Sequence, residues 1–466
     1  MVSQTTKGIL SLISGFSLHL VLGSLYTWAN ILPYLGSKLH HYNPGTSLES
    51  TLFFIPINIL ATNLFMPLGG KLDKILNQRL LLLIGTLLIA GGNAICAFAD
   101  GIFIVIIGDF IIGIGSGITY MTPIKNVWSY FPDYKGLVTG IISCGFGGSS
   151  FIFSFVSKAL VNPTNEAPGP DGYYGPDVFD KVTGMFIWLG SIYTLLGLIS
   201  VATFIQFKSE VTVTDLKNQL MIQDAENSEE KTDDPNAKET LGKALLSVRF
   251  FMLFLMPFLT STYGFFAVNA LKLFGKENNI DDSTLTLASS LAGLGNGISR
   301  PVWGIILDKW KFKKTYFFLC IVQVSLASTI YFTPLASGYM YVVWCFLSLC
   351  CEGSHFTIMP AVVRQVFGSK NATEIYGFVF FAYSGGSFIG PILTNYIVKG
   401  RDKIYYLMIY LIMAGFTVIA FFVCWCFNYT EFNYGTRHLK KGQLPDKNSD
   451  KSNDGYLSME GKKVTS

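Results

Sequence analysis

GGKLDK at 69–74 returns as WGIILDK at 303–309. Two further pairs keep the same order: ITYMTPIKNVWSYF at 118–131 with HFTIMPAVVRQVF at 355–367, and GFGGSSF at 145–151 with AYSGGSF at 382–388. The separations stay between 235 and 238 residues. One such match is within reach of chance; three in order are not. The chain therefore reads as two halves with the same span order and direction, the arrangement of parallel repeats.

Outward from these strings the chain is apolar. Of its 466 residues 50% are apolar and 15% aromatic, and only 14% are charged, too few to cover a soluble surface. At ~20 residues for each membrane crossing, the apolar stretches amount to roughly twelve spans. A soluble enzyme, a secreted domain and a single-span receptor are excluded, and a seven-helix receptor does not fit the count or the repeat. The net charge of +4 comes from Lys and Arg scattered through short loops, so it is an insertion signal and not a nucleic-acid surface. The eight Cys lie almost entirely within apolar stretches without zinc-ligand spacing and read as packing or lipid-facing residues.

Spans are expected near 8–33, 50–69, 80–99, 101–123, 137–160 and 182–206, then 247–272, 285–307, 314–334, 338–361, 374–398 and 403–428. The expected fold is all-α: residues 1–206 form an N-terminal six-helix bundle and 247–428 a C-terminal one. Residues 207–246, which include DAENSEEKTDDPNAKET, form a cytoplasmic linker, and 429–466 a disordered cytoplasmic tail. Lys71, Lys74 and Arg79, then Lys125 and Lys135, then Lys309, Lys311, Lys313 and Lys314 place their loops, with the linker and both termini, in the cytoplasm. The acidic loop NPTNEAPGPDGYYGPDVFD lies on the other side, although Lys399, Arg401 and Lys403 run against the rule. The start MVSQTTKG shows no cleavage or transit pattern, which points to the plasma membrane, with an organelle open.

The pattern Gly69-x-x-x-Asp73-Lys74 with Arg79, repeated as Gly304-x-x-x-Asp308-Lys309, resembles the loop motif of the major facilitator superfamily. Its physical use is a gate: Gly lets two helices approach, and Asp meets a helix N-terminus or a neighbouring Arg in one conformation and releases it in the other. Within that superfamily the chain is similar to the oxalate/formate antiporter group and the related monocarboxylate porters. GSLYTW at 23–28, GIGSGITY at 113–120, SYFPDYKGLVTGI at 129–141, GNGISRPVWGIILDK at 295–309 and MPAVVRQVFGSKNATEIYGFVFFAYSGGSFIGP at 359–391 carry the likeness. It implies a secondary carrier that moves a small organic anion across a lipid bilayer by alternating access, without cofactor or covalent chemistry.

A charge inside a membrane helix costs ~2.5–3.5 kcal/mol or more, which makes each one a functional candidate. Ser289, Gly293, Asn296, Arg300 and Gly304 share one face of the eighth span, and the forked donors of Arg300 suit a carboxylate. The competing reading pairs Arg300 with backbone carbonyls or Glu352. The resemblance implies an Arg in this span as the substrate cation, and a second cation, a Lys, in the eleventh; here that position falls near Gly385. One cation favours a monocarboxylate over oxalate. Tyr26, Tyr120 and Tyr383, with Asn296, are candidate walls of the same cavity. Glu352 and His355, three residues apart, are candidate proton carriers or a mutual packing pair. Proton symport and exchange against a counter-anion both remain open, as do pyruvate, lactate, a larger acid such as pantothenate, and a transport-inactive sensor with this fold. Asp109 has no partner assignable from sequence.

Overall fold

The structure is a computed structural model that describes residues 3–208, 241–368, 371–398 and 402–428, apart from 52, 167 and 170. Among these residues nine helical stretches are long and apolar enough to cross a membrane, and one of them, Thr284–Ala336, holds two spans. The second span (Phe54–Ile75) and the eleventh (Ala372–Ile392), more polar and glycine-rich, complete the twelve. The expected tail and most of the expected linker lie outside the described residues.

Polar residues start the helices where the sequence switches from loop to apolar run. Ser3, Asn77, Ser247, Asp281 and Ser337 each accept a backbone N–H at the beginning of the first, third, seventh, eighth and tenth spans, which satisfies donors that a helix leaves unpaired. The eighth and ninth spans run together as Asp282–Thr329 and divide at Lys311, whose φ of 66° breaks the helix. Two spans outlast their apolar runs. The first passes from Gln4–Leu22 through a 3-10 turn, Gly23–Thr27, into Trp28–Tyr42, because Leu35 and Leu39 beyond Pro33 are still buried. The fourth continues from Ile102–Thr119 into Met121–Tyr130, with Ile124, Val127 and Trp128 packed inward.

The distribution of polarity is that of a protein dissolved in lipid. Phe103, Trp188, Leu195, Phe422 and Trp425 point outward, while His19, Asp109, Arg300, Glu352 and His355 are buried. The sixth span ends at Thr203 (Val182–Thr203), short of the expected 206, and residues 204–208 follow it outside any helix; within the expected linker Leu241–Leu245 is a short helix with Ala244 buried.

Contacts between the halves are made by the fifth span (Lys135–Val161) against the eighth and by the second against the eleventh. In the first pair backbones touch: a side chain at Gly136 would meet the Gly304 carbonyl, one at Gly140 the Arg300 carbonyl, and one at Gly147 the Cα of Gly297. Small residues at such spacing let membrane helices approach to backbone distance. In the second pair Pro67 packs on Gly377, and Asn63 Nδ2 donates to the Phe380 carbonyl at 3.0 Å and to Ser384 Oγ.

Candidate functional site

A cavity of ≈ 370 Å³ lies between the halves. Its lining runs from Asn296 and Glu352, on the eighth and tenth spans, to Leu48 and Leu271 at the rim farther from the linker. Most of the wall is apolar; Asn30, Ser150, Ser289 and Ser387 add hydroxyl and amide groups. A second, narrow void lies beside it, lined by Tyr26, Phe146, Phe356 and Tyr383.

Arg300 lines neither void; it is fully buried behind Asn296, Phe146 and Phe356, which do. Its Nη2 donates to Asn296 Oδ1 at 2.7 Å and its Nε to the Asn296 carbonyl at 3.2 Å, one helical turn away. Its Nη1 crosses to the other half and donates to the Ser143 carbonyl at 2.9 Å. The guanidinium lies 4.5 Å from the ring centre of Phe356 and 5.3 Å from that of Phe146, inside cation–π range. These contacts occupy three of its five donors. Asn296 thus has two surfaces, one on the cavity and one on the cation.

The structure gathers the sequence candidates unevenly. Tyr26 and Asn296 line the larger cavity, and Tyr26 and Tyr383 the smaller one. Tyr383 donates to the His355 carbonyl at 3.3 Å and stacks on Phe356. Tyr120 lines neither; it is buried against His19 at 4.9 Å, Phe380 at 5.4 Å and Phe146 at 5.8 Å. Phe146 and Phe356, the rings that flank the Arg300 guanidinium, nevertheless contact Tyr26 at 5.6 Å, Tyr120 at 5.8 Å and Tyr383 at 5.0 Å. Glu352 lines the cavity against Gly264, and its carboxylate has no hydrogen-bond partner among the described residues. His355 lies away from the cavity, between Tyr316 and Tyr383, and no hydrogen bond joins it to Glu352. Asp109 is apart from all of these; its partner is Asn58 Nδ2 on the second span, at 2.7 Å.

At the linker side the two motif loops close the molecule. Asp308 accepts the Gly136 N–H and the Leu137 N–H, both at 2.8 Å, and so caps the fifth span of the other half. Asp73 instead pairs within its own half, with Lys125 at 2.7 Å and Gln78 at 2.8 Å. Lys74 crosses to Glu374 in the first turn of the eleventh span, at 2.5 Å. Gly69 packs on the backbone of Ile118 and Gly304 on that of Gly136. Arg79 does not meet Asp73; its Nε donates to the Phe204 carbonyl at 2.7 Å, tying the end of the sixth span. Lys309 adds charge at the mouth of the loop. The repeat segments themselves meet across the halves, with Arg364 4.8 Å from the Trp128 ring.

Sequence reasoning missed Phe146, Phe356, Ser143, Glu374 and Asn63. Phe146, Phe356 and Glu374 stand inside strings already singled out, but nothing in a string says that a phenylalanine faces a cation or that a glutamate faces a loop of the other half.

Comparison with known proteins agrees with this architecture. The family model of the Major Facilitator Superfamily matches residues 14–271 and again 249–453. Apicoplast pyruvate carrier 1 of Toxoplasma gondii is 25% identical over 473 residues, covering 86% of each chain. The oxalate:formate antiporter of Oxalobacter formigenes is 22% identical over 366 residues, covering 76% of this chain and 78% of its own. Among solved structures, the transporter FucP in the outward conformation superposes with a TM-score of 0.63 at 15% identity, over 89% of this chain and 99% of that one. The proton:xylose symporter XylE gives 0.66 at 13% identity, over 92% and 96%. With twelve spans in two parallel halves, a cavity between them and a family model that matches both, the chain belongs to the Major Facilitator Superfamily and is a membrane transporter, not an enzyme.

Proposed function

We propose that the chain carries a small monocarboxylate, pyruvate or lactate, across the plasma membrane by alternating access. The observation that carries this reading is the pairing of buried Arg300 with Asn296, which lines the cavity. Asn296 Oδ1 holds the place of a carboxylate oxygen on the guanidinium. An entering anion displaces a neutral acceptor with a charged one, and charge-assisted hydrogen bonds are roughly twice as strong as neutral ones. The apolar wall around Phe265 and Val268 suits the carbon end of the substrate. The resemblance to a pyruvate carrier and to an oxalate:formate antiporter supports an organic-anion cargo, and Arg300 as the one buried cation beside the cavity among the described residues favours one carboxylate over two.

In this reading the linker side is cytoplasmic, the residues 1–206 and 247–428 rock against each other as two bundles, and the cavity faces outward. Glu352, on the cavity wall and without a hydrogen-bond partner among the described residues, is the proton carrier; His355 supports the tyrosines behind it. The test is uptake of labelled pyruvate and lactate into proteoliposomes, with and without an inward proton gradient. Uptake should rise with the gradient, and Arg300→Gln should lower it more than about tenfold, since loss of one partner of a buried charged contact costs ~2–5 kcal/mol. Glu352→Gln should abolish the gradient's effect and spare uptake without one. Exchange against preloaded anions with no response to the gradient would replace proton coupling by antiport. Absence of uptake under all three conditions would overturn the monocarboxylate assignment.

A further inference from the structure

On the linker side of the N-terminal half, well away from the central cavity, a cleft of ≈ 500 Å³ is lined by Lys7, Arg79 and Lys208, with Gln4, Asn77 and Tyr130 among the polar remainder. The three cations come from three separate stretches: the start of the first span, the start of the third and the strip beyond the sixth. Among the described residues no carboxylate lines it. A surface of mixed charge is the ordinary outcome for a cytoplasmic loop region; three cations around one concavity with no acid concentrate positive potential in it.

The wall that completes this cleft is built, not incidental. The strip 204–208 has left its helix, yet its backbone is held on every side. Ser11 Oγ donates to the Ile205 carbonyl at 2.8 Å and accepts the Ile205 N–H at 3.2 Å. Asn126 Nδ2 donates to the same carbonyl at 2.8 Å while its Oδ1 accepts the Phe207 N–H at 2.8 Å. Tyr130 donates to Ile205 at 3.3 Å and its ring meets Phe207 edge-on at 5.0 Å. Arg79, through the Phe204 carbonyl, joins the same clamp. The first and fourth spans thus spend buried polar side chains on fixing an extended strip, and that strip presents Gln206 and Lys208 to the cleft.

We infer that this cleft is a binding site for a multiply charged phosphate group, presented by a phosphorylated lipid headgroup of the adjacent leaflet or by a soluble phosphate ester. Its chemistry is that of phosphate recognition: lysine point charges, an arginine fork and neutral amide donors, with Tyr130 in the same wall. The volume exceeds what inorganic phosphate needs and accommodates a phosphorylated ring. Occupancy would brace the ends of the first, third and sixth spans together, so the ligand stabilises the N-terminal half without touching the transport path. The inference does not depend on which anion the central cavity carries.

The full-length protein is reconstituted in phosphatidylcholine nanodiscs with and without a phosphoinositide bearing a ring monophosphate, and its thermal unfolding is followed. A second arm keeps plain phosphatidylcholine discs and adds a soluble inositol phosphate. A rise in Tm with the lipid alone identifies the headgroup; a rise with both identifies the phosphate ester as sufficient. In either case Lys7→Gln/Lys208→Gln should lose most of the rise, salt on the order of 0.5 M should suppress it, and Lys243→Gln/Lys314→Gln, which removes the same charge from the other half, should retain it. The inference is overturned if neither ligand raises Tm, or if both double variants respond alike.

Discussion

Where the fifth span crosses the eighth, the halves meet backbone to backbone; where the second crosses the eleventh, they meet through side chains. Gly136, Gly140 and Gly147 lie against Gly304, the Arg300 carbonyl and Gly297, with no volume for a methyl group between them. Asp308 then caps the fifth span with two hydrogen bonds of equal length. Across the other pair the bonds belong to Asn63, Ser384, Lys74 and Glu374, all on side chains that can rotate to other partners. The first seam is therefore all-or-none and the second adjustable. The proposed substrate cation belongs to the first: Arg300 donates to Ser143 across it. In the proposed cycle, an anion that competes for the guanidinium acts directly on the tight seam, and the second seam follows.

The largest departure expected is at the glycines. Gly304→Val places methyl groups where the Gly136 carbonyl now stands. Overpacking a core costs ~1–3 kcal/mol, and backbone against backbone leaves neither side able to yield. Each ~1.4 kcal/mol is tenfold in an equilibrium, so the linker-side gate should stand open by at least that factor. Thiol labelling of a cysteine placed at Leu137 reads it. If labelling and uptake both match the unsubstituted gate, the seam is not tight. Next in size is Asp308→Asn, which keeps the shape but loses the charge on a helix N-terminus. Loss of such a cap costs ~0.5–2 kcal/mol, so labelling at the same position should rise several-fold without loss of folding.

Both loops carry the same words, Gly-x-x-x-Asp-Lys, and the repeat made twelve spans in two halves legible before any coordinates. The expectation that an Asp would meet a helix N-terminus describes Asp308 and not Asp73. The reason lies in the element opposite. The first turn of the fifth span meets Asp308 through the backbone N–H groups of Gly136 and Leu137, whereas the first turn of the eleventh carries Glu374, which pairs with Lys74. Arg300 was visible as a charge on a polar helical stripe. Its companions Phe146, Phe356 and Ser143 were not, because they depend on how closely the glycines let the fifth span approach. The spacing of Glu352 and His355 is right for one helix face, but a turn of helix separates a residue on the cavity wall from one behind it.

The smallest effect should come from Lys74 and Glu374, and it sharpens the contrast most. Lys74 is 36% exposed and Glu374 only 3%, so the lysine end of the pair is open to solvent and to screening. With its Glu end buried and its Lys end screened, the pair lies near the upper end of the range for exposed pairs, on the order of 1 kcal/mol. Lys74→Glu opposes two carboxylates and should open the gate modestly, as should Glu374→Lys; the double exchange should restore it, since the geometry carries no demand beyond opposite sign. The coupling measured by that cycle should fall as salt is raised, while the effect of Asp308→Asn should change little, its partners being backbone N–H groups held against glycine. A coupling as large as the Asp308 effect, or one indifferent to salt, would mean that the second seam is as rigid as the first. Two rigid seams would leave the molecule without the adjustable side on which its halves can begin to part.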